Sequence, residues 1–93
     1  MAEQQARRGD ELLAQGKTMA ARQAYERAAR AGNAHAAMGM GTTYDPVFLA
    51  GDHVERVDAD ALVARVWYLR AKMYGNRDAE SRLAALNAAT AHQ

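Results

Sequence analysis

The sequence predicts an all-α fold, a stack of about five antiparallel helices built from two helical hairpins and a C-terminal capping helix. Three observations predict it. Alanine fills about a quarter of the chain, proline occurs once and β-branched residues are few, a composition that favours helix over sheet. Apolar residues recur at helical spacing rather than in strand alternation. Tyr25, Ala28, Gly32 and Asn33 are answered by Tyr68, Ala71, Gly75 and Asn76 at one offset of 43 residues. A fixed offset carried by aromatic, small and Gly-Asn positions together marks an internal repeat, and a repeat of this length points to stacked helical hairpins.

The elements follow in order. Residues 3–15 are helical and weakly amphipathic, with Ala6, Gly9, Leu12 and Leu13 on or near one side. Gly16 ends this helix at the left-handed position that glycine relieves, and Thr18 is placed to cap the next one. That second helix, 19–31, packs through Ala21, Ala24, Tyr25 and Ala28, while Arg22, Glu26 and Arg30 form a charged ladder opposite. Gly32-Asn33 repeats the stop and the cap and opens a third helix, 34–44, which Pro46 closes. Residues 45–59 are the one long connection, too apolar for a solvated linker, so Val47, Phe48, Leu49, Val54 and Val57 are expected to fold back onto the helices. Asp58 or Asp60 caps a fourth helix, 61–74, whose two apolar stripes, one with Ala64, Trp67, Tyr68 and Ala71 and one with Leu62, Val66, Leu69 and Met73, predict a central position. Gly75-Asn76 ends it, and a last helix from Asn76 or Asp78 to about residue 89 turns Ala79, Leu83 and Leu86 inward.

Composition bounds the function classes. Ninety-three residues make one small domain, of the size that buries only about 60 to 65% of its unfolded surface. With 49% hydrophobic and 25% charged residues the chain is neither a disordered tail nor a membrane protein, and direct membrane insertion is not expected. The absence of cysteine excludes disulfides and thiol chemistry. No secretion signal is legible at the start, which does not fix the compartment: a cytoplasmic setting is favoured and a periplasmic one stays open for an excised domain. The net charge of +1 argues against nucleic acid, although it conceals a pattern. Residues 1–35 carry six Lys/Arg against four Asp/Glu, residues 36–60 one against five, and residues 61–93 five against two.

Gly9, Leu12, Ala21, Tyr25 and Ala28 sit at the spacing of the small and aromatic positions of a tetratricopeptide repeat. The second unit, with Met40, Gly41 and Tyr44 followed by Trp67, Tyr68, Ala71 and Gly75, resembles the longer SEL-one-like repeat. The resemblance divides the single domain into repeat one (about 3–32), repeat two (about 33–75, with a long internal loop at 45–59) and a C-terminal half-repeat (about 76–90). It departs from the family at Gln5 and Arg8, where large apolar residues are usual, and in the extra residues of the second unit. It implies a right-handed α-α superhelix whose first helices line a concave groove holding a peptide or a partner protein. Groove positions carried over from the family are Asp10 and Leu13 in helix one, His35, Met38, Thr42 and Asp45 in and after helix three, and Ser81 in the last helix, with Ala6, Asp78 and Ala85 beside them.

Other chemistry is weaker. His35, His53 and His92 lack the spacing of a zinc site, and no cofactor is implied. Asp45, Asp52, Glu55, Asp58 and Asp60 with His53 form the densest carboxylate cluster, a candidate for a divalent cation without the ladder of an EF-hand. Met38-Gly39-Met40-Gly41 lies inside a helical pattern with no preceding strand, so close helix packing explains it better than a phosphate loop. Trp67, Tyr68 and Tyr74 read as core, and no arrangement suggests catalysis. The expected function is a non-catalytic protein–protein interaction scaffold. The alternatives are a self-associating module, a head-to-tail homo-oligomer joining the acidic middle to the basic end, and a metal-binding protein.

Overall fold

The structure, a computed structural model, describes residues 2–51 and 54–91. Asp52, His53 and His92, named above, lie outside the described residues. Six helices and no strand make up the described chain: α1 (Ala2–Ala14), α2 (Thr18–Arg30), α3 (Ala34–Tyr44), α4 (Pro46–Leu49), α5 (Ala61–Met73) and α6 (Ala79–Thr90). Each long helix packs on the next, α1 on α2, α2 on α3, α3 on α5 and α5 on α6, while α4 bridges α3 and α6.

Three helix ends share one geometry. Gly16, Gly32 and Gly75 hold φ of 76°, 95° and 98°. Around them Lys17 N–H donates to Leu12 O (2.9 Å), Asn33 N–H to Ala28 O (3.0 Å) and Asn76 N–H to Ala71 O (2.9 Å). These are the long bonds of a Schellman motif, which satisfies orphan carbonyls at the C-terminus and reverses the chain. Asn33 then caps α3, its side chain accepting from Ala36 N–H at 2.8 Å. Asn76 does not cap α6. Its side chain accepts from Asp78 N–H (2.8 Å), and the helix begins only at Ala79.

The central helix is α3, not the 61–74 helix singled out by its two apolar stripes. Residues 36–43 of α3 are all buried. On α5 only Ala64, Trp67, Tyr68 and Ala71 are buried, while Leu62, Val66, Leu69 and Met73 face outward and Tyr74 beyond them is also exposed. Periodicity identifies an apolar stripe without saying whether anything covers it.

Tyrosine rings space the helices of the core. Tyr25, from α2, lies against Gly9 of α1 and Gly39 of α3, where a methyl group on either glycine would overlap the ring. Tyr68, from α5, lies against Gly41 of α3 in the same way. The Met-Gly-Met-Gly stretch is therefore a packing device: its glycines leave the helix surface flat for aromatic rings.

Several local expectations differ. Thr18 is no cap: it is the first residue of α2, is fully buried, and its hydroxyl finds no partner among the described residues. Glu55 serves that end instead, its Oε1 accepting from Met19 N–H (2.8 Å) while its own N–H donates to Gly16 O (2.8 Å). The 45–59 connection contains a helical turn, because Pro46 that closes α3 also starts α4 at a position where its missing N–H costs nothing. Phe48, Leu49, Val54 and Val57 are half-buried as expected, whereas Val47 is exposed. Asp60 rather than Asp58 caps α5, accepting from Leu62 and Val63 N–H at 3.1 Å each. Arg22 leaves the charged ladder of α2: it donates to Thr43 O and stacks 3.7 Å from the centroid of Tyr44. The ladder reduces to Arg30 with Glu26 at 3.0 Å.

Candidate functional site

A groove of about 360 Å³ opens where α1, α3, α4 and α6 converge. The Schellman turn at Gly16 folds α2 back along α1, and Tyr25 then draws α1 and α3 together across its ring. One wall is Asp10 and Leu13 of α1, the floor is Met38 and Thr42 of α3, and Ser81 of α6 stands opposite. His35 lies at the edge of α3, its Nε2 2.8 Å from both carboxylate oxygens of Asp10. A carboxylate only accepts, so this imidazole nitrogen carries the proton.

Asp10 is tied from beneath as well, since Tyr25 Oη donates to its Oδ1 at 2.6 Å. Burial first, and then this bond to Asp10, hold the Tyr25 phenol far above the usual tyrosine range. Helix α5 makes a similar pair with the residue that follows α3. Tyr68 Oη donates to Asp45 Oδ2 at 2.6 Å, and burial together with that bond pushes the Tyr68 pKa up to about 12. Thr42 Oγ1 donates to Met38 O (3.0 Å) and accepts from Arg82 (3.0 Å), which fixes the floor to the α6 wall.

Six of the seven positions anticipated from the repeat, Asp10, Leu13, His35, Met38, Thr42 and Ser81, line this groove. Asp45 does not. It is 3% exposed, its Oδ2 bound to Tyr68 and its Oδ1 accepting from Val47 N–H at 2.8 Å, so it is an internal strut. Of the flanking positions, Asp78 lines the groove, Ala6 lies in a neighbouring hollow with Arg7, Asn33 and His35, and Ala85 is exposed on α6 away from both. Sequence reasoning missed Phe48, Asn76 and Arg82 on the walls. Arg82 follows Ser81 and could have been read from the helix. Phe48 reaches the groove only because α4 exists.

A larger hollow of about 490 Å³ runs along Leu49, Val54, Arg56, Val57 and Asp58. Of the described carboxylates of the acidic segment, Asp58 alone lines it. Asp45 holds Tyr68, Glu55 holds the start of α2 and Asp60 caps α5, and no group of three potential metal ligands occurs among the described residues. No described helix is long and apolar enough to cross a membrane. Compared with protein-family models, with curated proteins and with solved structures, the chain matches none. The tetratricopeptide-like resemblance therefore rests on the residues of the repeat alone.

Proposed function

We propose that the chain is a non-catalytic protein-interaction scaffold of the tetratricopeptide or SEL-one-like kind, a right-handed stack of two hairpins and a half-repeat that holds a peptide segment of a partner in the α1–α3–α6 groove. The observation that carries this reading is the convergence of Asp10, His35 and Ser81, from three helices distant in sequence, on one open groove floored by Met38 and Thr42. Its mixed lining of carboxylate, imidazole, hydroxyl, thioether and guanidinium suits a peptide, which offers both backbone polar groups and apolar side chains. The cluster of Asp10, His35 and Tyr25 argues against catalysis. Its hydroxyl belongs to a buried phenol whose ionisation the site opposes, so the cluster holds α1, α2 and α3 in register rather than activating a nucleophile.

Selection of a displayed random peptide library on the protein tests the reading. Recovered peptides are expected to shift the NMR resonances of His35, Ser81 and Arg82, and Ser81→Arg should weaken their binding about tenfold with the melting temperature unchanged, because Ser81 is exposed. Peptides that shift only residues outside the groove would overturn it.

A further inference from the structure

The outward face of α5 carries an apolar seam for which the domain itself has no use. Leu62, Val66, Leu69 and Met73 are 70%, 48%, 45% and 81% exposed. They recur at intervals of four, three and four, the spacing that lets one helix seat its side chains between those of another. The repeat provides an internal control. At the offset of 43 residues these positions correspond to Met19, Gln23, Glu26 and Arg30 of α2, three of them polar. The same face of the first hairpin is thus solvated, with Glu26 and Arg30 paired on it, and the architecture does not require apolar residues there. None of the four α5 residues lines the groove.

We propose that this face docks an amphipathic helix of a partner protein whose apolar seam is flanked by acidic side chains. Charge selects the occupant. Helix α5 contains no Asp or Glu, and Arg65, Arg70 and Lys72 border the seam. Lys72 is paired with Glu80 at 2.7 Å, whereas Arg65 donates to the neutral Asn87 (3.0 Å) and Arg70 stands over the Trp67 ring. Among the described residues neither guanidinium on the rims is paired with a carboxylate. A second copy seated face to face would set basic rims against basic rims, which disfavours that pairing. A lipid surface is the weaker candidate, since interfacial helices turn their large aromatic residues outward, and on α5 Trp67 is turned into the core while Tyr74, at the helix end, is exposed.

The test uses two synthetic helical peptides of about 18 residues, long enough to span α5, each with leucine at alternating four and three spacing. One is flanked by glutamate and the other by lysine. Fluorescence anisotropy should show the glutamate peptide binding at least about tenfold tighter than its lysine twin, and weakening between about 0.1 M and about 1 M salt as the screening length falls from about 10 Å to about 3 Å. Leu69→Glu should abolish this binding and keep the melting temperature, while His35→Ala in the groove should leave it unchanged, which separates this proposal from the peptide groove. Equal binding of both peptides, binding by neither, or indifference to Leu69→Glu overturns it. So does a concentration-dependent dimer in sedimentation that Leu69→Glu dissolves, which would assign the face to a second copy. Co-sedimentation with phosphatidylserine vesicles that Leu69→Glu abolishes would assign it to a lipid surface.

Discussion

Two tyrosines do the same work in different surroundings, and the difference has a measurable size. Tyr25 donates to Asp10, a half-exposed carboxylate that His35 also reaches, whereas Tyr68 donates to Asp45, which is buried and whose Oδ2 has no other partner among the described residues. Losing a bond to a buried charged acceptor costs about 1.5–3 kcal/mol, and losing one to a solvated acceptor about 1 kcal/mol or less. Tyr68→Phe should therefore destabilise the fold by about 1 kcal/mol more than Tyr25→Phe, as read by urea denaturation of the two variants. The same tyrosines set the alkaline limit. Both phenols have folded pKa values raised above the unfolded value near 10, Tyr68 to about 12, so they stabilise the fold below about pH 10 and that contribution is lost as the pH rises toward about 12. A pH–melting curve should fall through this window in the parent and fall less steeply in Tyr68→Phe. Thr18 offers a change of opposite sign. Its buried hydroxyl has no partner among the described residues, so Thr18→Val, which keeps the shape and removes the oxygen, should raise stability by about 1 kcal/mol in the same denaturation assay.

At the scale of the element, the segment 54–60 acts as a strap. Glu55 clamps the α1–α2 turn through two bonds of 2.8 Å, one from its backbone N–H and one to its side chain, and Asp60 N–H donates to Tyr44 O at 2.8 Å at the far end. Helix α2 has no cap from its own N-terminal residue, so Glu55→Ala should lower stability by about 0.5–1 kcal/mol, the size of a lost cap at an exposed site, and Glu55→Gln should restore part of it. Thermal unfolding of the three proteins checks the ranking. This strap also shows which parts of the molecule were legible in the sequence. Helix α3 and its boundaries could be read from Asn33 and Pro46 because caps and stops act on neighbours. The cap of α2 could not, since Glu55 lies 36 residues from Met19 and only the folded chain brings them together. Pro46 was ambiguous for a physical reason: it ends one helix and is equally suited to begin another. Six of the groove-lining residues could be named because they sit on the helix faces to which the family resemblance pointed, and the role of Asp45 could not, because it depends on a tyrosine in the opposite helix. The seam on α5 was legible as apolar, and its exposure was not.

The whole molecule extends 40 × 28 × 16 Å, and its helices are stacked so that most contacts run between neighbours. In such a stack the protection of each helix depends on how many neighbours bury it. Helix α3 touches α1, α2, α4 and α5 and is buried almost throughout, whereas α6 buries only Ala79 and Leu86 and is held chiefly by α5. Native-state hydrogen exchange should therefore find the slowest amides in α3, with the facing parts of α2 and α5 close behind, and should find α6 opening first. Because Arg82 of α6 fixes Thr42 on the floor of the groove, a peptide that bridges α1 and α6 would bind only the closed form. The expected consequence is selective slowing of α6 exchange on binding, with α3 amides, already limited by global unfolding, slowed only as far as overall stability rises. Exchange that slows equally everywhere would show instead that α6 opens together with the rest, as an integral part of one cooperative unit.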